Sequence, residues 1–372
     1  MKLIELKFHD FRNYESLRLS DLGDLVILSG PNGVGKTNIL EGIHLLTAAS
    51  SFKNAQINQL IRQGSSQARI SAEISDGSRL ITTSLTMEVG KKRYQVNGKN
   101  RTAAQIKGTL PAISFIPDDL DLAKKSSSVR RNSLDNLGVQ LSKNYNVVCR
   151  DYEKSLQYKN TVLKEEAPVS YIDAINETLL TIATQLYCYR RALFDRIIPL
   201  VKENYGLISQ SGEEFSAEYL PSWMRMQQRF PNKSSFSDDT MQSVERGEVH
   251  TYIYDAIESY KEEEIRARRS FIGPHNDQIT FLLDGNDASA FASQGQQRSI
   301  VLAWKLAEVQ LVKKMTGKNP VLLLDDVMSE LDENRRDMLV SAVGSEVQTF
   351  ITTTDLSSFN KQLLNRAQVI TV

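Results

Sequence analysis

Apolar positions along this chain follow different spacings in different stretches, and the spacings divide it roughly into thirds. In the first third they alternate. Ile70, Ala72 and Ile74 precede Asp76-Gly77; Ile81, Thr83, Leu85, Met87 and Val89 follow it; Tyr94 and Val96 precede Asn97-Gly98. Period-two alternation interrupted by Asp-Gly and Asn-Gly predicts hairpins, hence an antiparallel sheet in a β-rich lobe over about residues 66–101. Ahead of the lobe, Leu25-Val26-Ile27-Leu28 is a continuous apolar run of the kind a buried parallel strand requires. Ile39, Leu40, Ile43 and Leu46 then share one helical face.

In the middle third the period becomes helical. Leu134, Leu137, Leu141, Tyr145, Val148, Tyr152 and Leu156 form one stripe. After a polar break containing Pro168, Ile172, Ile175, Leu179, Ile182, Leu186, Tyr189, Leu193, Ile197 and Leu200 form a second. Two stripes joined by a break predict an antiparallel helical hairpin, each arm roughly 40–45 Å long at 1.5 Å per residue, with a packing role. Residues 207–245, rich in Ser, Asp and Gly, read as a long irregular segment. A further helix is expected over about residues 247–268. The last third returns to buried-strand runs at Val321–Leu324 and Thr349–Thr352. The pattern predicts an α/β protein in which residues 1–116 and 271–372 form one domain and residues 117–270 are a helical insertion.

Composition narrows the class. The 372 residues are 41% apolar and 24% charged, which is ordinary for a globular chain. Lys+Arg and Asp+Glu both number 45, so a polyanionic partner would need basic residues gathered on one face. Cys149 and Cys188 are too few for a disulfide framework or a cysteine metal site. Met1–Lys7 carries no signal-peptide apolar stretch, and no run approaches the ~20 apolar residues of a membrane helix. The expectation is a cytoplasmic protein with no membrane partner.

The chemistry begins at Gly30-Pro31-Asn32-Gly33-Val34-Gly35-Lys36-Thr37, a complete phosphate-binding loop between the first buried strand and the first helix. Its glycines let successive N–H groups turn onto a phosphate chain. Lys36 can reach the β- and γ-phosphates, and the Thr37 hydroxyl can ligate Mg²⁺. The helix start favours negative charge. Nucleotide hydrolysis also needs an acid at a strand end to hold the metal and a group to position water. Leu322-Leu323-Leu324-Asp325-Asp326 offers Asp325 for the metal and Asp326 for the water. Ser293-Gln294-Gly295-Gln296 opens an amphipathic helical run. It reads both as a second anion site, which would serve a nucleotide held by a partner subunit, and as a plain N-cap by Ser293.

This set resembles the ABC-type ATPase heads of the SMC and recombination-repair class, and within that class the RecF family. The resemblance rests on Phe11-Arg12-Asn13-Tyr14, the loop continued through Asn38-Ile39-Leu40-Glu41, Ser51-Phe52, Pro117 to Leu122, Arg130-Arg131, Gly273-Pro274-His275, Phe291 to Arg298, Leu322 to Asp332, and Ile351 to Asp355. It implies an ABC-type P-loop head, a weak ATPase with ATP and Mg²⁺ as cofactors, and an ATP-dependent homodimer. It also implies action on gapped or ss–ds junction DNA with RecR and RecO to help load a recombinase. Arg12 and Asn38 would lie near the nucleotide, and Ser293, Gly295 and Gln296 would reach the partner's γ-phosphate. The chain departs from the family pattern at Ser50, Asn132, Asn276 and Gln278, and a basic group is lost at each of the first three. Asp326 stands where ABC heads generally have Glu, and Thr353-Thr354-Asp355 where they have His, features the family shares and which fit slow turnover.

Lys53, Arg62, Arg69, Lys91, Lys92 and Arg93 make the β-rich lobe basic. They read either as a DNA face that binds phosphates without reading sequence or as protective charges on a solvated sheet edge. A small-substrate kinase or GTPase is disfavoured by the Ser293–Gln296 turn and by the lack of a guanine-reading Asn-Lys-x-Asp. A nuclease fusion is disfavoured because only residues 356–372 follow Asp355. A head that only scaffolds partners fits poorly with intact Lys36, Thr37, Asp325 and Asp326.

Overall fold

The computed structural model describes residues 1–209, 212–229, 246–332, 335–336, 338–339 and 347–372. It divides into two compact units, one made of Met1–Leu120, Glu203–Gln210 and Arg298–Val372, the other of Asp121–Lys202 and Ser211–Gln297.

The first unit carries two sheets. Strands β1 (Lys2–Phe11), β2 (Tyr14–Leu19), β4 (Gln67–Ser75), β5 (Leu80–Glu88), β6 (Lys91–Val96) and β7 (Lys99–Arg101) form an antiparallel sheet in the order β2-β1-β4-β5-β6-β7. The predicted hairpins are its β4–β5 and β6–β7 turns. The N-terminal pair β1–β2, which the alternation analysis did not include, extends this sheet through Leu6, Phe8 and Phe11, all buried. A second sheet is parallel, in the order β14-β3-β13-β12-β8, with β3 Leu25–Ser29, β8 Ala112–Phe115, β12 Val321–Asp325, β13 Thr349–Thr353 and β14 Gln368–Thr371. Every residue of β12 and β13 is buried, which is why these strands read as runs rather than alternations.

Helix α1 (Lys36–Thr47) follows the phosphate loop and lies against strands of both sheets. One apolar face was expected, but burial extends around it to Gly42, His44 and Leu45. Gly42 is required there: a Cβ would stand 2.3 Å from the Phe8 ring. His44 is held neutral by burial, which pulls its pKa below the ordinary value, and its Nδ1–H donates to the Ser50 carbonyl at 2.8 Å.

In the second unit the first helical stripe is shared by two helices, α2 (Ser127–Leu141) and α3 (Lys143–Lys164). Ser142 breaks it in an extended conformation and its side chain caps α3 by accepting from the Tyr145 N–H at 3.2 Å. The two helices meet where the Tyr145 ring covers Gly138, whose Cβ would fall 2.6 Å from it. Past the Pro168 break, α4 (Val169–Ile208) returns antiparallel to α3, as the ring pairs Tyr158–Tyr171 and Tyr145–Tyr189 show. Val162, Leu163, Ile172 and Ile175 close the hairpin end. Helix α5 (Arg246–Ala267) falls where expected.

The segment expected to be irregular instead contains β9 (Phe215–Leu220) and a helix at Ser222–Arg229, while residues 230–245 lie outside the described residues. Phe215 and Tyr219 are buried on one face of β9. Strand β9 pairs with β10 (Gln278–Leu283), which also carries β11 (Asn286–Asp287). This pairing places residues 271–297 in the second unit, whereas the sequence boundary assigned them to the ATPase domain.

His275 sits inside this unit. Its Nε2–H donates to the Ser270 carbonyl at 3.2 Å, which leaves Nδ1 to accept from the Tyr152 hydroxyl at 2.7 Å. Burial first, with Lys159, Arg131 and Arg190 adding like charge, lowers its pKa to about 4. The unfolded chain therefore takes up this proton first, so the stability contribution is complete above pH ~6.5 and is lost as pH falls toward the folded value. Urea titrations at pH 6.5 and 4.5 should show about 2–3 kcal/mol lost to this group. His275→Gln should flatten the slope, and an unchanged slope would contradict a buried neutral ring.

Candidate nucleotide site

Strand β3 ends at Ser29 and the phosphate loop begins at once. Gly33 and Gly35 take left-handed conformations at φ 83° and 118°. At Gly35 a side chain is also excluded by contact, because a Cβ would lie 2.6 Å from the Asn13 amide and 2.7 Å from the Tyr14 hydroxyl. Pro31, Asn32 and Gly33 are exposed at the loop tip, and Val34 and Asn38 are half-buried. The Lys36 ammonium is buried against the loop and donates to the Gly30 and Pro31 carbonyls at 2.7 and 2.8 Å.

The acidic strand end is brought to this loop. Parallel pairing puts β13 between β3 and β12, so Ser29 and Asp325 end two strands of one sheet on the same edge. The Thr37 hydroxyl donates to Asp325 Oδ1 at 2.8 Å although 288 positions separate them. Thr352 of β13 donates to the same oxygen at 2.9 Å and accepts from the Asp326 N–H at 2.8 Å. Thr352 thereby fixes both acids, a role sequence reasoning missed. Its signal was a hydroxyl at the end of an apolar strand. Asp326 itself has a left-handed backbone, φ 53°. Thr37 and Asp325 are hard oxygen donors, side by side, and would suit Mg²⁺. Bound there, the ion would neutralise charge on the β- and γ-phosphates.

The β1–β2 turn grips the loop from outside. Asn13 donates to the Val34 carbonyl at 2.7 Å and accepts from the Asn38 amide at 2.8 Å. Arg12, left-handed at φ 54°, makes a two-pronged pair with Glu41 at 2.8 and 2.9 Å and donates to the Gln59 carbonyl at 3.0 Å. Glu41 is fully buried and also accepts from the Ser51 hydroxyl at 2.5 Å. A buried carboxylate is tolerable only when paired and hydrogen-bonded in this way. Arg12 thus ties the antiparallel sheet to α1, one turn beyond Lys36. Asn13 and Glu41 belong to the motif residues, but their struts were not foreseen.

The Ser293–Gln296 turn lies in the second unit and opens helix α6 (Gln294–Thr316). Ser293 and Gln296 bond each other reciprocally, Ser293 N–H to Oε1 at 2.6 Å and Gln296 N–H to Oγ at 3.2 Å. This is a capping box, the bland half of the sequence reading. Ser293 is exposed and Gly295 half-buried. The Gln296 amide donates to Glu213 at 2.5 Å.

The basic residues of the β-rich lobe do not form one face. Cross-strand register puts His9, Arg69, Thr86 and Arg93 in one row on the outward side. Lys91 is exposed opposite Glu88. Lys92 shares the inward side with Tyr94, and burial pulls its pKa below the ordinary value. Arg62 is neutralised by Asp10 at 2.8 Å and Glu15 at 3.3 Å. Lys53 is exposed. At the departures, Asn276 donates to the Phe271 carbonyl at 2.9 Å, closing a local loop, and Asn132 is exposed.

A glycine loop and a Mg²⁺-type acid joined across a parallel sheet, with an antiparallel sheet gripping the loop, define an ABC-type, SMC-like ATPase head. Residues 2–371 match the family model described as the RecF/RecN/SMC N terminal domain. The chain belongs to the RecF family within that class. It is 34% identical over 379 residues to the DNA replication and repair protein RecF of Gloeobacter violaceus, covering 100% of this chain and 97% of that one. It is 31% identical over 378 residues to the protein of the same name from Pediococcus pentosaceus, at 100% and 97% coverage. Among solved structures, the recombination mediator protein RecF-ATPrS of the RecFOR pathway superposes with a TM-score of 0.86, 26% identity, and coverage of 96% of this chain and 94% of that one. An Smc head bound to the C-winged helix domain of ScpA, 14% identical with a TM-score of 0.52, shares the fold alone. Among the described residues no helix is long and apolar enough to cross a membrane.

Proposed function

We propose that this chain is an ATP-switched DNA-binding protein of recombinational repair and replication restart, working in the cytoplasm. Lys36 and the loop N–H groups hold the phosphates, Thr37 and Asp325 hold Mg²⁺, and Asp326 positions the attacking water. Two copies close around two ATP molecules, each nucleotide reached from the partner by Ser293, Gly295 and Gln296. The closed pair binds gapped or ss–ds junction DNA, acts with RecR- and RecO-type mediators to load recombinase, and resets by slow hydrolysis. The observation that carries this reading is the Thr37–Asp325 contact in a chain that superposes on an ATP-type complex of a recombination mediator.

The test is binding of a gapped duplex with and without ATP, for the unaltered chain and for Lys36→Met. ATP should tighten binding at least tenfold, and the substitution should abolish the gain. If ATP binds but DNA affinity ignores it, the switch reading falls and a scaffold for protein partners replaces it.

A further inference from the structure

The second unit holds a basic channel that the nucleotide site does not use. A cavity of about 420 Å³ opens at the start of α2, where Lys124-Lys125-Ser126-Ser127-Ser128 leads into Arg130-Arg131. Lys124, Arg130, Arg131 and Arg225 line it. Lys125 also lines it but pairs with Asp121 at 2.7 Å. One acid, Asp287, is on its wall; it accepts from the Ser289 N–H and hydroxyl at 2.8 and 2.7 Å and keeps its charge, against four cationic side chains besides Lys125.

Two independent features make this cavity electropositive. Among the described residues no side chain caps the first turn of α2, and the Ser126 and Ser128 hydroxyls bond each other at 2.7 Å. The Val129 N–H turns back to the Ser126 carbonyl at 3.0 Å, and the helix start still carries the positive end of the dipole. Arg130 is 4% exposed, yet its guanidinium donates to the Leu122, Ala123 and Ile279 carbonyls. Among the described residues no carboxylate forms an ion pair with it. Burial pulls the Arg130 pKa below the ordinary value, and the nearby Asp287 carboxylate offsets this only in part.

Arg225 also lines a second cavity, of about 390 Å³, with Arg229, Arg269 and Phe271, and among the described residues no acid lines it. Arg269 lies over the Phe271 ring at 5.1 Å, a cation–π contact that steadies this cation at the cavity wall. In a chain with 45 acids and 45 bases, two adjoining cation-lined cavities represent a strong segregation of charge. One phosphate would need one cavity. Two sharing an arginine wall suit a ligand that repeats its anion.

We infer that the Lys124–Arg225–Arg269 channel binds the phosphodiester backbone of a nucleic-acid strand. This rests on the DNA-binding reading above and moves the principal contact from the β-rich lobe to the helical unit. The experiment uses the full chain with ATP and a fluorescein-labelled gapped duplex, measured by anisotropy over a salt series. Lys124→Glu with Arg225→Glu, both exposed positions, should weaken binding tenfold or more and flatten the salt dependence by about two counter-ions, at ~0.9 per phosphate contact. Arg69→Glu with Arg93→Glu in the lobe should do less. As a check that needs no variant, DNA should protect Lys124 from acetylation. If the unaltered chain binds DNA and the channel variant matches it, with Lys124 unprotected, the inference is overturned while DNA binding stands. If polyglutamate protects Lys124 and DNA does not, the channel is a seat for an acidic protein segment and the inference is equally overturned. If the unaltered chain binds no DNA, the broader reading fails and takes the channel's assignment with it.

Discussion

Asp326→Asn is expected to bind ATP as the unaltered chain does and to hydrolyse it about 10²–10⁴-fold more slowly, the range of a single general acid–base group. The substitution is clean for structural reasons. Asp326 has a left-handed backbone at φ 53°, a conformation that Asn adopts readily, and Asn keeps its backbone bonds, the N–H to Thr352 and the carbonyl that accepts from the Ser329 hydroxyl. The change removes the negative charge at nearly constant shape. Lys36→Met should behave differently, losing affinity for ATP before any effect on turnover is read. Equilibrium binding of a fluorescent ATP analogue and single-turnover phosphate release separate the two. Unaltered turnover in Asp326→Asn would mean that water is positioned by another group.

The largest stability effect should come from a place far from chemistry. Lys159 and Glu264 are each 1% exposed and pair at 2.6 Å between α3 and α5. Glu264 Oε1 also accepts from the Phe271 and Ile272 N–H groups, at 2.6 and 3.1 Å. Lys159→Met would strand a buried carboxylate, at about 3–5 kcal/mol. Adding Glu264→Gln should restore a large part, because the amide oxygen still accepts the two N–H groups without a charge to bury. Urea unfolding of both single variants and the double gives the coupling directly. If the double is no better than Lys159→Met, the loss lies in packing rather than in stranded charge.

The parts of the fold written in local pattern were legible before any coordinates. The phosphate loop declared itself by residue type, β12 by a continuous apolar run ending in acid, and the hairpins by Asp-Gly and Asn-Gly. The break at Ser142 was not, because the apolar spacing passes through it undisturbed. Only a capping hydroxyl and the glycine under Tyr145 mark two helices instead of one. Strand β9 was masked by its polar surroundings, although Phe215, Ala217 and Tyr219 alternate. The β-rich lobe is a different case. Lys92 has the same parity as Tyr94 and Val96, so its inward direction was readable from the alternation already used, and grouping it with Lys91 ignored the pleat. What could not be read locally is long-range: the Thr37–Asp325 contact and the Asn13 strut depend on which strands become neighbours.

The strand that launches the phosphate loop has as its neighbours β13 and β14, from the far end of the chain. A ribosome adding ~5–20 residues each second would complete β3 roughly 15–60 s before β13 exists. Through that interval an apolar strand meant for the middle of a sheet has both edges unsatisfied. The chain of the helical unit is finished well before β13. A message cut short after the helices would therefore carry the phosphate loop on a strand with neither of its sheet neighbours.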